Sequence, residues 1–228
     1  MSRHTARLVT SLSIIILVLL GSLAPAALAQ YNEATVRLNL VAVVGEERGE
    51  VVPAEVTVAP GSFNVRLETN GNAGSVLNAS TWMAVAVGSL YAGVDWNTID
   101  ARITIETNGD VEGPSGSVAI ALATYLALTR GGYNLTGYAI TGAVGPGGAS
   151  TRVGGVDVKC KAAMDAGLTL VYPLANATPR LVEECNGVPV TTILDAAWTV
   201  SGLPPALVEF RVPVPLEFNE TMRQVAYN

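Results

Sequence analysis

Lysine occurs only twice in this chain, at Lys159 and Lys161, and the single histidine is His4. His4 lies in a segment that reads as a removable leader, so the mature chain is expected to hold no imidazole. A Ser–His–Asp arrangement is then out of reach. Yet Ser115 sits in a glycine-rich turn entering a predicted helix (VEGPSGSVAIALA), and Lys159 follows a second glycine turn (VGGVDVKCKAAMDAG). For a hydrolase of this composition, Ser115 with Lys159 is nearly the only nucleophile–base pair available.

A serine at the first turn of a helix stands where backbone N–H groups are unpaired and the helix dipole is positive. Such donors can stabilise the oxyanion of an acyl-transfer intermediate, an effect worth roughly 3–4 kcal/mol per donor. The competing reading is a simple helix cap, since serine is a favoured N-cap. Lys159 would need its pKa lowered from about 10.4 by about 3 units to act as a base near neutrality. Desolvation does this, and Val153, Val156, Val158 and Ala162 make its neighbourhood apolar. A solvated lysine is the plainer alternative. Against it, a cation at a helix N-terminus is electrostatically disfavoured, and the chain otherwise avoids lysine. Lys161 falls on another face of the same helix. An ion pair from Asp157 would raise the Lys159 pKa, so an active enzyme should keep that carboxylate turned away.

The elements that must position these residues begin with alternation at Thr35–Val43, which predicts a strand with Val36, Leu38 and Leu40 on one face. A charged turn at Glu46–Glu50 leads to strands at Val51–Val58 and Phe63–Glu68. A buried helix is expected over Ser75–Ala92, and a further strand carries Ile103 and Ile105. The pattern then changes to helix–strand alternation. Helices are predicted over 116–129, 157–166, 179–185 and 194–200, and strands over 138–141, 168–172 and 188–193, with a glycine-rich hairpin at 142–155. The expected class is α/β (α+β), with a strand-rich N-terminal part.

Half the residues are apolar and only 14% are charged, which suits one compact core. Residues 1–29 read as an export signal: Arg3 and Arg7, the apolar run Leu12–Leu20, then Ala27-Leu28-Ala29. An uncleaved membrane anchor is the alternative. Their removal takes away two basic residues and no acid, leaving 11 basic against 19 acidic and a net charge of −8. That balance argues against nucleic acid and anionic membrane surfaces as partners. Sequons at Asn78, Asn134, Asn176 and Asn219 fit an extracytoplasmic location. Cys160 and Cys185 could pair there or be two small buried apolar residues, and with no mature histidine a zinc site is not expected. Glu183-Glu184 and the Glu46/Glu47/Glu50 group read as solvated surface. Trp82, Trp96 and Trp198 read as core or interface packing. Residues 30–202 form the expected domain and 203–228, with four prolines, an extended tail.

VEGPSGSVAIA, AITG and VGGVDVKCKAAMDAG, preceded by VRLNLVAVVGEERGEVVPAEVTVAP, together resemble the proteolytic domain of Lon peptidases, especially the archaeal membrane-associated branch. The resemblance runs from about Val36 to Val200. It implies a Ser–Lys dyad with Ser115 as nucleophile and Lys159 as general base, and Thr141 as the threonine that orients the lysine. Glu112 matches the acidic position before the turn formed by Gly113, Pro114, Ser115 and Gly116. Backbone N–H groups at Ser115 and its neighbours would form the oxyanion hole, and no cofactor is implied. Two departures stand out. No Gly-Lys pair exists for a Walker A loop, so no nucleotide partner is expected, and Gly145–Gly148 replaces the usual hairpin residues. The expectation is an ATP-independent serine endopeptidase for unfolded or flexible polypeptides outside the cytoplasm, with ring assembly implied by the family alone. A catalytically silent Lon-like binding module is the alternative.

Overall fold

The computed structural model describes residues 31–45, 48–107 and 109–202. Residues 1–29, the tail at 203–228, Glu46 and Glu47 lie outside them, and with them the leader, the tail and part of the charged turn.

The alternation in the first strand does what period-2 chemistry requires. In β1 (Ala34–Val44) Val36, Leu38 and Leu40 are buried, and they stand opposite Val56, Ala54 and Val52 of the antiparallel β2 (Arg48–Pro60). β2 pairs antiparallel with β4 (Ile99–Ile105), which runs parallel to β3 (Val65–Thr69). On the other side of β1 the sheet is parallel, through β5 (Tyr133–Ile140), β8 (Thr169–Pro173) and β9 (Gly187–Val190). The seven strands lie in the order β3-β4-β2-β1-β5-β8-β9. The β1–β5 register shifts between Arg37 and Asn39. There the amide of the buried Asn39 donates to the carbonyls of Thr136 and Tyr138 at 2.9 and 3.0 Å, so backbone acceptors at the irregularity stay satisfied.

Helices cover both faces. α1 (Ser75–Tyr91) and α2 (Ser117–Arg130) cross at Gly88, where an added Cβ would stand 2.4 Å from the Ala121 carbonyl oxygen. Every residue of α2 from Ser117 to Ala127 is buried, which is why this stretch shows no amphipathic period. Leu40 lies beside the turn entering α2, while Val41, on the opposite face of the strand, packs with Val156 and Cys160 of α3 (Val156–Asp165). α4 (Pro179–Glu184) closes that second cluster through Leu181, and α5 (Ile193–Ser201) starts from a capping box between Thr192 and Asp195.

The fold is mixed α/β, as expected, with several boundaries moved. β5 begins five residues before the predicted strand, because pairing with β1 extends an otherwise unremarkable polar sequence. The strand expected over 188–193 stops at Val190, and Ile193 opens α5, since the Thr192 cap intervenes. β2 starts at Arg48, inside the expected charged turn. The tryptophans are not core residues: Trp82, Trp96 and Trp198 are 44%, 38% and 60% exposed, and Trp82 meets Phe63 edge-on. Among the described residues no helix is long and apolar enough to cross a membrane, and no acidic or cysteine cluster could hold a metal ion.

Candidate active site

The chain leaves β4 and runs beside the start of α1 before reaching Ser115. Val111 donates to the Asn72 carbonyl and accepts from Gly74 N–H, both at 2.9 Å. The exposed Glu112 carboxylate lies directly over Gly74, the N-cap of α1, where a negative charge meets the positive end of the helix. Gly113 then turns with φ +87°, a left-handed conformation that a side chain would oppose. Gly116 has an ordinary φ of −92° and room for a Cβ beside Leu40, so the turn does not demand glycine there.

Ser115 is half-buried and is not the helix cap; that position is Gly116, with no side-chain capping bond. The capping alternative therefore fails. Among the described residues the N–H groups of Ser115 and Gly116 have no hydrogen-bond partner, whereas Ser117 N–H donates to Pro114 and Val118 N–H to the Gly142 carbonyl.

The second half of the site enters along β5. Gly142 N–H donates to the Ser115 carbonyl at 2.7 Å, and the Thr141 hydroxyl donates to the same oxygen at 3.2 Å. Gly142 has φ +148°, and an added Cβ would stand 2.9 Å from Val118, 3.0 Å from Ser150 Oγ and 3.2 Å from Pro173. Gly142→Ala is expected to destabilise the protein by about 2–4 kcal/mol through overpacking and backbone strain, as a fall in denaturation midpoint would show.

The glycine-rich segment does pair. β6 (Ala143–Val144) and β7 (Ser150–Thr151) form a two-stranded ribbon, closed by Gly148 N–H to the Gly145 carbonyl. The Tyr91 hydroxyl donates to the Gly147 carbonyl at 2.6 Å, and its ring fills the space that a side chain at Gly148 would take. The replacement residues thus suit a tyrosine packed against the turn. Beyond it, the Asn176 side chain grips Val153 on both sides, accepting its N–H at 3.0 Å and donating to its carbonyl at 2.8 Å. A sequon asparagine held this way does backbone work.

Gly155, in the left-handed region at φ +65°, begins α3, and Lys159 follows one turn later. Lys159 is 3% exposed, and its Nζ donates to Thr141 Oγ1 at 3.0 Å. Burial pushes its pKa down from the ordinary 10.5 to about 8, because the charged form is deprived of water. Lys161 is exposed. Asp157 is exposed as well, with no ion pair to Lys159 among the described residues, and its field falls on Arg180. Next to the lysine, Cys160 is disulfide-bonded to Cys185 at the end of α4, which decides between the two readings of these cysteines.

Ser115 and Lys159, 44 residues apart in sequence, are thus linked through one threonine: Lys159 Nζ to Thr141 Oγ1 to the Ser115 carbonyl. Residues 32–189 match the profile of the Lon protease (S16) C-terminal proteolytic domain. The chain belongs to this family. The Lon domain here is 30% identical to the archaeal Lon protease of Thermococcus kodakarensis over 166 residues, covering 69% of this chain and 26% of that protein. It is 34% identical to that of Archaeoglobus fulgidus over 151 residues, with 64% and 24% covered, and 34% identical to that of Thermoplasma acidophilum over 173 residues, with 69% and 26% covered. The chain spans about a quarter of the length of these relatives. Ser117, Tyr91, Gly74 and Asn176 are the Lon-domain residues around the site that sequence reasoning did not single out. Only Asn176 carried a signal, and that signal pointed to glycosylation.

Proposed function

We propose that this Lon domain is a serine endopeptidase acting through Ser115 and Lys159 on unfolded or flexible polypeptides, without ATP and outside the cytoplasm. The observation that carries it is the buried Lys159 amine, held by Thr141 and brought by desolvation to a pKa of about 8. A base in that range removes a proton at mildly alkaline pH and returns it afterwards.

In the reaction, Lys159 takes the Ser115 hydroxyl proton as Oγ attacks the peptide carbonyl carbon. Negative charge develops on the carbonyl oxygen, which the N–H groups of Ser115 and Gly116, without a partner among the described residues, would receive. Lys159 then gives its proton to the leaving amine, the C–N bond breaks, and an acyl-enzyme remains. Water attacks the ester by the same route and regenerates the serine. The oxyanion donors stand at the positive end of α2, so the helix dipole favours the charged intermediate.

The Cys160–Cys185 bond supports a location outside the cytoplasm, since disulfides persist where the surroundings are oxidising. Residues 1–29 would serve as the export signal or anchor. Unfolded or flexible substrates belong to this reading, in which the Lon domain acts on segments that need no prior unfolding.

The full chain, incubated with casein and no ATP beside Ser115→Ala, Lys159→Ala and Lys161→Ala, tests this reading. Cleavage is expected from the unmodified chain and Lys161→Ala, with a loss of at least about 1,000-fold in the other two. A folded chain that neither cleaves casein nor labels at Ser115 with a fluorophosphonate would leave the silent binding module.

A further inference from the structure

We propose that Ser117 is a positioning residue for the nucleophile, its hydroxyl tying the turn that carries Ser115 to β6, which follows Thr141 closely in the chain. This rests on the Ser115–Lys159 reading above.

Ser117 opens α2 and is completely buried. The following run, Val118-Ala119-Ile120-Ala121-Leu122-Ala123, is wholly apolar and equally buried, so packing alone gives no reason for a hydroxyl there. A buried hydroxyl is costly unless it is bonded. Ser117 is bonded twice: Oγ donates to the Pro114 carbonyl at 2.7 Å and accepts the Val144 N–H at 2.9 Å. The Thr124 hydroxyl, further along α2, donates back to the Ile120 carbonyl within the same helix.

The two partners of Ser117 are what make it informative. Pro114 precedes the nucleophile directly. Val144 lies in β6, three residues after Thr141, the group that holds Lys159. The remaining bonds between the two segments are Thr141 hydroxyl and Gly142 N–H to the Ser115 carbonyl, and Val118 N–H to the Gly142 carbonyl. They secure the segments from Ser115 onward; among the described residues it is the Ser117 hydroxyl that joins the residue before it to β6. An alanine would leave the Val144 N–H buried without its acceptor and cut the side-chain link from Pro114 to β6, while the backbone N–H at position 117 still donates to the Pro114 carbonyl. The Ser115 side chain could then rotate away from the lysine while the fold persists.

The test is steady-state cleavage of fluorescein-labelled casein by the full chain, at a temperature where circular dichroism shows each variant folded. Ser117→Ala is expected to lower kcat about ten- to a hundredfold with KM within about twofold, and to slow fluorophosphonate labelling of Ser115 in parallel. Ser117→Cys keeps the volume and weak hydrogen bonding, and should fall between the two. It also carries the test should Ser117→Ala not fold. A merely structural role would leave kcat per folded molecule unchanged. An unmodified kcat and labelling rate in either folded variant would therefore overturn the proposal. An unmodified chain that is itself inert at Ser115 would instead sink the dyad reading on which the proposal rests.

Discussion

Lys159→Met is expected to abolish cleavage and, at neutral pH, to raise stability by about 1–2 kcal/mol. The activity loss should exceed about 1,000-fold, because no second amine lies at hand; Lys161 is exposed. The gain in stability comes from removing a buried charge. A shift from 10.5 to about 8 corresponds to about 3 kcal/mol of penalty on the protonated form. Loss of the hydrogen bond to Thr141 returns about 1 kcal/mol of it. Methionine is unbranched and of similar length, so it can fill the space of the stem. For a domain of this size, a gain of that order raises Tm by about 2–8 °C.

The pH dependence distinguishes this cause from ordinary repacking. The folded protein holds the Lys159 proton less tightly than the unfolded chain does. Its stability therefore rises as pH climbs from about 8 towards 10.5, while Lys159→Met lacks that increment. The advantage of the variant should be full below pH 8 and shrink over this interval. Thermal melts at pH 7 and pH 10 measure it; an equal advantage at both would show that the buried charge is not the source. If the proposed Ser115–Lys159 pair operates, the same group in the unmodified chain should give a rise of kcat/KM with pH centred near 8, as the neutral amine becomes available.

The second large effect is expected from the disulfide. Cys160 and Cys185 are 25 residues apart, and cross-linking a loop of that size restricts the unfolded chain by about 3 kcal/mol. Replacing both with alanine should cost about that much, or about 6–12 °C in Tm. The loss falls where Val156, Cys160, Ala163 and Leu181 pack together beneath the lysine helix. A double variant that melts with the unmodified chain would mean that the bond does not form or does not constrain the unfolded chain. Because Cys160 is the next residue to Lys159, we also expect a lower kcat in the double variant, measured with labelled casein below its melting range.

Much of the candidate site was legible in the sequence because rarity and local pattern both pointed to it. Two lysines, one serine in a glycine turn, and alternation at Val36, Leu38 and Leu40 are properties of neighbouring residues, readable without knowing where distant segments go. β1, α1, α2 and α3 were expected nearly in place for the same reason: each has its own period or its own punctuation by glycine. β5 was shortened because Asn134-Leu135-Thr136-Gly137 has no strong strand character of its own, and its pairing with β1 bridges about a hundred residues. Exposure of Trp82, Trp96 and Trp198 removes the core half of their reading and leaves interface packing, because an aromatic ring suits a core and an exposed face equally well in sequence.

For a hydrolase of this composition the residue types alone leave Ser115 with Lys159 as nearly the only nucleophile–base pair, because composition removes alternatives regardless of fold. Proximity is a different matter. That Lys159 is buried, that its amine reaches Thr141, that Ser115 is not a cap, and that Cys160 meets Cys185 were all decided by tertiary structure. Desolvation, hydrogen bonding and disulfide formation depend on which atoms lie within a few ångströms. In this chain those atoms come from segments that only the sheet order and the packed helices bring together.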